Sequence, residues 1–356
     1  AGIDNSTNVK GGEIVKIGNR LTGVLIDNSM RLVNNIIPEP SKEESIQALL
    51  SAQDLAFKYG LTTISDAGLT KEQIYLIDEL HKDGALKIKI YAMIENDPSS
   101  LEHFLESGPY KTDRLNVRSV KVYVDGALGS RGALLIDDYS DRKGFKGIIR
   151  TPIDSINKLA LRLSGTKFQM NTHAIGDKAN RIVLNAYRDA LFDFRDPRWR
   201  IEHAQVIAKE DFELFNPKII PSVQPTHATS DMYWLYDRIG KKRAENAYAY
   251  KSLLNKSNVI ALGTDFPVEQ ISENYLFVSR DLPRDDRDDD GSYWCWTSEP
   301  TVMTSDMHRG YVVADGWDEF HFTRGATVTV DLNGPSLQLL TFRSTIYDRV
   351  AHWIGQ

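Results

Sequence analysis

The stretch K-F-Q-M-N-T-H-A-I-G-D, residues 167–177, places a histidine at the end of a short apolar run and a glycine shortly after it. A run of this length with a turn residue behind it is typical of a buried strand. Taken alone, His173 is most simply interpreted as a structural histidine with one buried hydrogen bond. A functional interpretation requires that other runs of the chain end in the same way.

Further runs of this kind alternate with helical patterns along the chain. Strands separated by helices favour a parallel sheet with crossover helices, an α/β fold. A (β/α)8 TIM-type barrel needs eight such strands, and the sequence offers seven. We therefore expect a barrel that is incomplete at its N-terminal side. The predicted strands are residues 61–68, 86–95, 118–126, 168–174, 199–204, 218–225 and 258–267.

Three regions can be separated by their patterns. Residues 1–40 are predicted to form a hairpin-like or extended entry segment. Residues 41–275 contain the barrel, which begins with a helix whose Ser41 and Glu44 have the spacing of a capping box. Residues 276–356 are predicted to be a divergent C-terminal region, partly β, where T-V-T-V and L-Q-L-L-T-F are candidate strands of a small β appendage.

The composition argues against several classes of protein. The net charge of −6, with no strongly basic block, argues against a nucleic-acid partner. No run approaches the roughly 18 apolar residues of a membrane span, and the start lacks a signal-peptide pattern. We therefore expect a cytoplasmic protein with no membrane partner. The single cysteine, Cys295, excludes an internal disulfide framework and a cysteine-based zinc site.

Four of the predicted strands carry a lysine, a histidine, a second histidine and an aspartate that could meet at one rim: Lys121, His173, His203 and Asp265. Each also has a structural interpretation when taken alone. Lys121 could be a strand lysine that reaches solvent, each histidine could be a core histidine, and Asp265 could cap a helix or turn. The carboxyl ends of parallel strands meet at one rim, and repeated ionisable groups there are costly without compensation. A shared metal would compensate all four. Imidazole and carboxylate groups are good ligands for Zn²⁺ or a similar divalent ion, so we predict a bound metal, with zinc favoured.

Several motifs together resemble those of the metal-dependent amidohydrolase superfamily, and most of all its branch containing N-substituted formamide deformylase. The resemblance extends from about residue 11 to about residue 275, and its motifs occur in the family's order. The motifs are V-K-V-Y-V-D-G-A-L-G-S-R, N-T-H-A-I-G-D, I-E-H-A-Q, S-V-Q-P-T-H-A-T-S-D-M-Y-W and L-G-T-D-F-P-V-E.

The resemblance implies one or two metal ions and a set of ligands that holds them. Members of the superfamily use a His-x-His pair from the first strand, a carboxylated lysine or an acidic residue from the fourth, two single histidines and a final aspartate. By motif, Lys121 takes the lysine position and would need carbamylation. His173 and His203 take the single-histidine positions, and Asp265 takes the aspartate position.

The same resemblance implies hydrolysis of a C–N bond in a small amide, formamide or cyclic amide. Asp265 would move the proton, and His203 or His227 would steady the oxyanion. His227 and Gln224, from S-V-Q-P-T-H, would face the substrate. For His227, a loop-capping role is the structural alternative.

The sequence departs from the superfamily at its front. None of its eight histidines forms a His-x-His pair. We therefore expect that the first barrel strand is absent, which would leave two unpaired sheet edges and favour a homo-oligomer or a complementary chain. The alternative is a non-catalytic barrel remnant that acts as a binding or assembly protein. A sugar-binding module built on Trp234, Trp294 and Trp296 is a third interpretation.

Overall fold

A computed structural model describes residues 1–192 and 197–271 in full and, beyond residue 271, the backbone of seven strands. The chain divides into two compact units. The first comprises residues 1–55 and 62–270, and the second comprises residues 56–61 and 271–356.

The first unit begins with an antiparallel hairpin within the segment expected to be hairpin-like or extended. Its strands are β1 (Gly12–Ile17) and β2 (Arg20–Asp27). A short 3-10 turn leads into α1 (Arg31–Asn34), which is followed by α2 (Lys42–Lys58). The predicted capping box is present, because Ser41 N–H donates to Glu44 and Glu44 N–H donates to the Ser41 hydroxyl.

Seven parallel strands form one sheet, and all seven predicted strands contribute to it. Their order across the sheet is their order along the chain. The short strand β5 (Tyr110–Lys111) pairs antiparallel with β6 at the side of this path. The result is an incomplete (β/α) barrel, as the sequence predicts. The parallel strands are β3 (Thr63–Leu69), β4 (Lys89–Glu95), β6 (Leu115–Tyr123), β7 (Gln169–Ala174), β8 (Trp199–His203), β9 (Ile219–Val223) and β10 (Ala261–Leu262).

α-Helices connect successive strands, as expected for crossover units, except between β8 and β9, where the connection contains a 3-10 helix, Lys209–Leu214. Their apolar side chains are buried, for example Ile74 and Ile77 of the first crossover helix, both fully enclosed. Each such side chain contributes roughly 1.5–3 kcal/mol to folding. The helices that follow β3 are α3 (Lys71–Lys82), α4 (Pro98–Ser107), α5 (Ile153–Ser164), α6 (Asp177–Ala190), α7 (Pro225–Asp231), α8 (Leu235–Ala244) and α9 (Tyr250–Ser257).

The two faces of the sheet differ in chemistry. On β7 the Thr172 hydroxyl lies 2.7 Å from the Tyr187 hydroxyl of α6, so this face packs on the helices. Side chains alternate along a strand, which places Asn171 and His173 on the opposite, inner face. On β7 the inner face therefore carries the polar residues that interrupt the apolar run.

The last parallel strand is shorter than predicted. The sequence pattern extends over residues 258–267, whereas β10 contains only Ala261 and Leu262. Asn258 ends α9 in the left-handed conformation, and the chain turns again at Asp265, where φ is 56°. Helix cap and turn thus occupy both ends of the expected strand.

The second unit contains antiparallel strand pairs. T-V-T-V lies in β16 and L-L-T-F in β17, so both predicted strands are present. Among the described residues, no helix combines the length and the apolar character needed to cross a bilayer. The strands are β11 (Val278–Asp281), β12 (Ser292–Cys295), β13 (Thr301–Thr304), β14 (Arg309–Ala314), β15 (Asp318–Thr323), β16 (Thr327–Asp331) and β17 (Leu339–Arg343).

Candidate metal centre

Strand register places the predicted ligands on adjacent strands. Tyr123 of β6 pairs with His173 of β7, and Ala174 pairs with His203 of β8. Lys121 lies two residues before Tyr123, on the same face of the sheet. Three of the four predicted metal ligands therefore lie near one rim of the sheet, on consecutive parallel strands.

The structure brings three imidazole rings together. The ring centroids of His173 and His203 are 4.5 Å apart, with the planes inclined at 71°. The ring of His227 lies 6.2 Å from that of His203 and is nearly parallel to it. His227 belongs to α7 rather than to a loop, so the loop-capping alternative does not describe it.

A hydrogen bond fixes the tautomer of His203. Its Nδ1 lies 2.7 Å from the side-chain oxygen of Gln224, which can only accept, so Nδ1–H is the donor. The Gln224 amide nitrogen donates in turn to the Ser222 carbonyl. Nε2 of His203 is left with a free lone pair, which is what a metal ligand requires. Gln224 is buried, and its side chain contacts His203 and the Ser222 carbonyl.

His173 has a buried carboxylate beside it. Asp125, fully enclosed, places Oδ1 3.4 Å from Nε2 of His173. Asp125 also accepts backbone N–H groups from Leu134, Ile175 and Gly176. The carboxylate is thus fixed by three backbone donors and lies beside the imidazole. The sequence interpretation missed Asp125, although an acidic residue directly after a strand in V-D-G is a visible signal.

Burial keeps both histidines neutral. It lowers the pKa of His173 well below the usual range, and the charges of His203 and Lys121 act in the same direction. Burial, followed by the charge of Lys121, lowers the pKa of His203 to about 3. Neutral imidazoles offer lone pairs at neutral pH, so the electrostatics of the pair suit metal coordination.

Lys121 does not reach solvent, so the interpretation as a solvent-seeking strand lysine is wrong. Only 5% of the residue is exposed, and Nζ lies 4.8 Å from the centre of the Tyr123 ring. Burial lowers the pKa of Lys121, against the attraction of Glu202 and Asp265. A lysine with this bias is closer to the neutral amine, the form that reacts with carbon dioxide.

Asp265 differs from the other predicted ligands in being exposed. It has a positive φ of 56°, and His203 and Ala204 have positive φ values of 76° and 43°. Residues other than glycine rarely adopt this conformation, and such strain concentrates at functional sites. The strained backbone therefore coincides with two of the predicted site residues.

A charged pair lies below the rim on the inner face. Arg200 Nε lies 2.7 Å from Glu202, and both side chains are largely buried. Burial raises the pKa of Glu202, but the charges of Arg200 and Lys121 overcome this effect and lower it overall. Glu202 precedes His203 in I-E-H-A, and only its position next to a candidate ligand could have indicated it.

Within residues 1–192 and 197–271, no three His, Cys, Asp or Glu side chains converge closely enough to hold a metal ion. The imidazole pair is therefore a partial donor set among the described residues. Of the three tryptophans in the sugar-binding interpretation, Trp234 lies beside Arg238, whose guanidinium is 5.6 Å from its ring. The side chains of Trp294 and Trp296 lie outside the described residues.

Comparison with known proteins gives this rim a context. The sequence model of the amidohydrolase family matches residues 1–299, which is most of the chain. The chain belongs to the amidohydrolase family. This assignment agrees with the incomplete (β/α) barrel and with histidines at the carboxyl ends of neighbouring strands.

Two curated proteins are similar to this amidohydrolase-family chain. Protein LONG AFTER FAR-RED 3 of Arabidopsis thaliana is 32% identical over 279 residues, covering 74% of the chain and 48% of that protein. "Putative amidohydrolase YtcJ" of Bacillus subtilis (strain 168) is 30% identical over 286 residues, covering 76% of the chain and 52% of that protein. The chain spans about half the length of the curated relatives it matches.

Two solved structures of uncharacterized metal-dependent hydrolases share the fold of this family member. The protein from Pyrococcus furiosus has a TM-score of 0.61 at 28% identity, with 69% of this chain and 52% of that chain covered. The protein from Pyrococcus horikoshii OT3 has a TM-score of 0.62 at 26% identity, with 70% and 51% covered. The similarity therefore includes sequence as well as backbone.

Proposed function

We propose that this amidohydrolase-family chain takes part in metal-dependent hydrolysis of C–N bonds in small amide-like molecules. N-substituted formamides, other amides and cyclic amides are the substrate classes to test first. The observation that carries the proposal is the pair His173 and His203, with ring centroids 4.5 Å apart at the carboxyl ends of adjacent strands.

The proposed metal ligands are Lys121, His173, His203 and Asp265, and their chemistry suits a divalent ion such as zinc. Nε2 of His173 and Nε2 of His227 are buried without hydrogen-bond partners, as expected where an imidazole cluster serves a ligand. When bound, the ion would polarise a carbonyl and increase the acidity of water. The donor set would be completed by a His-x-His pair that residues 1–356 do not contain.

Each residue of the rim has a proposed role. The exposed carboxylate of Asp265 accepts a proton from water and returns it to the leaving amine. His203 gives its Nδ1–H to Gln224, so its remaining lone pair favours a ligand role over oxyanion stabilisation. His227 is the better candidate for a donor to the oxyanion. Gln224 positions His203 as well as lining the substrate site.

Lys121 is proposed to act as a carbamate. A protonated lysine cannot coordinate a cation, but a carbamate presents an anionic oxygen. Burial already lowers the pKa of Lys121, which favours the neutral amine that forms the carbamate.

Elemental analysis of the purified chain tests the proposal directly. We expect about one zinc-like ion per chain, lost in Lys121→Ala and in His173→Ala. Lys167→Ala is the matched control. Lys167 is exposed and precedes the N-terminal end of β7, whereas His173 lies near the C-terminal end of this strand. A folded wild-type protein without metal, or metal retained in both site variants, would contradict the proposal.

A non-catalytic remnant is the second candidate function. The absence of a three-ligand cluster among the described residues favours it. Metal-loaded protein that hydrolyses no member of a panel of formamides, linear amides and cyclic amides would support this candidate. Light scattering of the same sample tests the expected self-association, and a clean monomer would count against it.

A further inference from the structure

A cleft lined mainly by cationic side chains lies between two connections of the first unit. Its volume is about 570 Å³. One wall belongs to the connection between β6 and α5, and the other belongs to the second half of α8. None of the residues proposed for the metal centre lines it. We call it the basic cleft after its cationic residues, which are Lys143, Lys146, Lys241, Lys242 and Arg243.

Arg243 holds the two walls of the basic cleft together. Its guanidinium, on α8, donates to the backbone carbonyls of Asp137 and Asp138 in the facing connection, at 3.2 and 2.8 Å. Lys146 donates in a similar way to the Ile136 carbonyl at 2.8 Å. Backbone carbonyls are neutral acceptors. These bonds therefore fix the two cations in place and leave their charges without a counter-ion.

Gly240 shapes the α8 wall. It interrupts the helix with a φ of 71°, which favours glycine, and Lys241 and Lys242 follow it directly. A Cβ atom at this position would lie 3.1 Å from the Ser140 hydroxyl of the facing connection. The missing side chain thus allows the two walls to approach each other while the space between them stays open.

The remaining cations of the basic cleft are exposed and have no partner. Among the described residues, Lys143, Lys241 and Lys242 make no side-chain ion pair or hydrogen bond. Of the two carboxylates in the lining, that of Asp138 accepts the Gly144 N–H at 2.8 Å. Five cations against two carboxylates leave a formal excess of three positive charges in a chain whose net charge is −6. A concave surface with charges of one sign concentrates its field and attracts an ion of the opposite sign.

We propose that the basic cleft binds a small molecule that carries a diphosphate group. This site goes beyond the proposed hydrolysis and does not depend on it. The cleft has the size of a small-molecule site, for which about 300–1,000 Å³ is typical. Lysine binds phosphate as a point charge, and a phosphate group carries about 1.5 to 2 negative charges near neutral pH, so two joined phosphates offset the excess. A nucleic acid would need a basic surface that extends well beyond one cleft.

Ligand-observed ³¹P NMR titration tests the inference without requiring turnover. Metal is first removed with a chelator, which is then dialysed away, because diphosphate also binds metal ions. The probes are sodium pyrophosphate and orthophosphate. We expect wild type to bind pyrophosphate about 10-fold more tightly than orthophosphate, since pyrophosphate carries more charge. Lys241→Gln/Lys242→Gln should weaken the binding of pyrophosphate about 10-fold, and so should a high salt concentration.

Lys87→Gln/Lys89→Gln is the matched control. Both lysines are exposed near the start of β4, and the double variant changes the net charge by the same amount. Circular dichroism establishes that each variant is folded. Absence of pyrophosphate binding to wild type, equal loss of affinity in the two double variants, or binding of orthophosphate as tight as that of pyrophosphate overturns the inference. Pyrophosphate binding that only the α8 variant weakens supports it.

Discussion

Asp125 and His173 form a buried pair in which Oδ1 of the carboxylate lies 3.4 Å from Nε2 of the imidazole. The same carboxylate accepts three backbone N–H groups, from Leu134, Ile175 and Gly176. One side chain therefore fixes the loop after β6 and the turn after β7, and this turn directly follows a proposed metal ligand.

Asp125→Asn should lower the metal affinity about 10- to 100-fold, because the backbone at Ile175 and Gly176, directly after the strand that carries His173, loses part of its anchor. It should also cost about 1–3 kcal/mol of unfolding free energy, since the amide nitrogen faces a backbone donor. Metal titration with a competing chelator measures the first effect and urea unfolding the second. Unchanged metal affinity would show that His173 does not depend on Asp125.

Gly176→Ala should destabilise the protein by about 3 kcal/mol. A Cβ atom at Gly176 would lie 2.0 Å from the Leu134 carbonyl oxygen, so the backbone must shift. Gly165→Ala is the control, because its nearest contact would be 3.7 Å away. Thermal unfolding of both variants decides the matter, and similar melting temperatures would refute the close approach at Gly176.

His203 should contribute stability to the metal-free chain that is lost on acidification. The pKa of His203 is lowered to about 3 in the folded protein from its usual 6.5, so between these values the unfolded chain binds more protons. The contribution of His203 is thus fully present above pH 6.5 and is lost as the pH falls towards 3. Between pH 7 and pH 5 the loss from His203 is about 2 kcal/mol.

Urea unfolding in the presence of a chelator, followed by tryptophan fluorescence at pH 7, 6 and 5, measures this slope. His203→Gln should flatten it, whereas His103→Gln, on α4, should leave it intact. A wild-type slope that His203→Gln does not alter would exclude His203 as its source.

Glu202→Gln should cost about 3 kcal/mol, because it leaves the buried charge of Arg200 without its partner. Glu210→Gln provides the comparison, since Glu210 pairs with Arg181 in an exposed position and should contribute less than about 1 kcal/mol. Chemical denaturation at neutral pH compares the two. Equal losses of unfolding free energy in the two variants would mean that other groups stabilise the charge of Arg200.

Local patterns were sufficient to predict the sheet. A run such as Phe168–Ala174 contains its own apolar core and its own turn signal, so each strand could be recognised separately. Parallel pairing then implied that Lys121 and His173 meet near one rim, and the register of β6 with β7 agrees. Metal binding and catalysis by these residues stay predictions.

The surroundings of the site could not be predicted, because they depend on how a loop folds back. Asp125 and His173 are 48 residues apart in the sequence. Arg150, whose backbone N–H donates to the Val124 carbonyl, is 26 residues from Val124. No local sequence pattern predicts contacts between residues so far apart in the chain. The shortness of β10 could not be predicted for a similar reason. Asn258 caps α9 in the left-handed conformation, and tertiary packing decides whether such a residue ends a helix or begins a strand.

The parallel strands lie side by side in the order in which they occur in the chain. During synthesis, each new strand therefore finds its partner already made and next to it, and the sheet grows at one edge only. No strand has to wait unpaired for a partner strand that is synthesised much later. The rim that carries His173 and His203 can thus be assembled as soon as the third, fourth and fifth parallel strands have emerged.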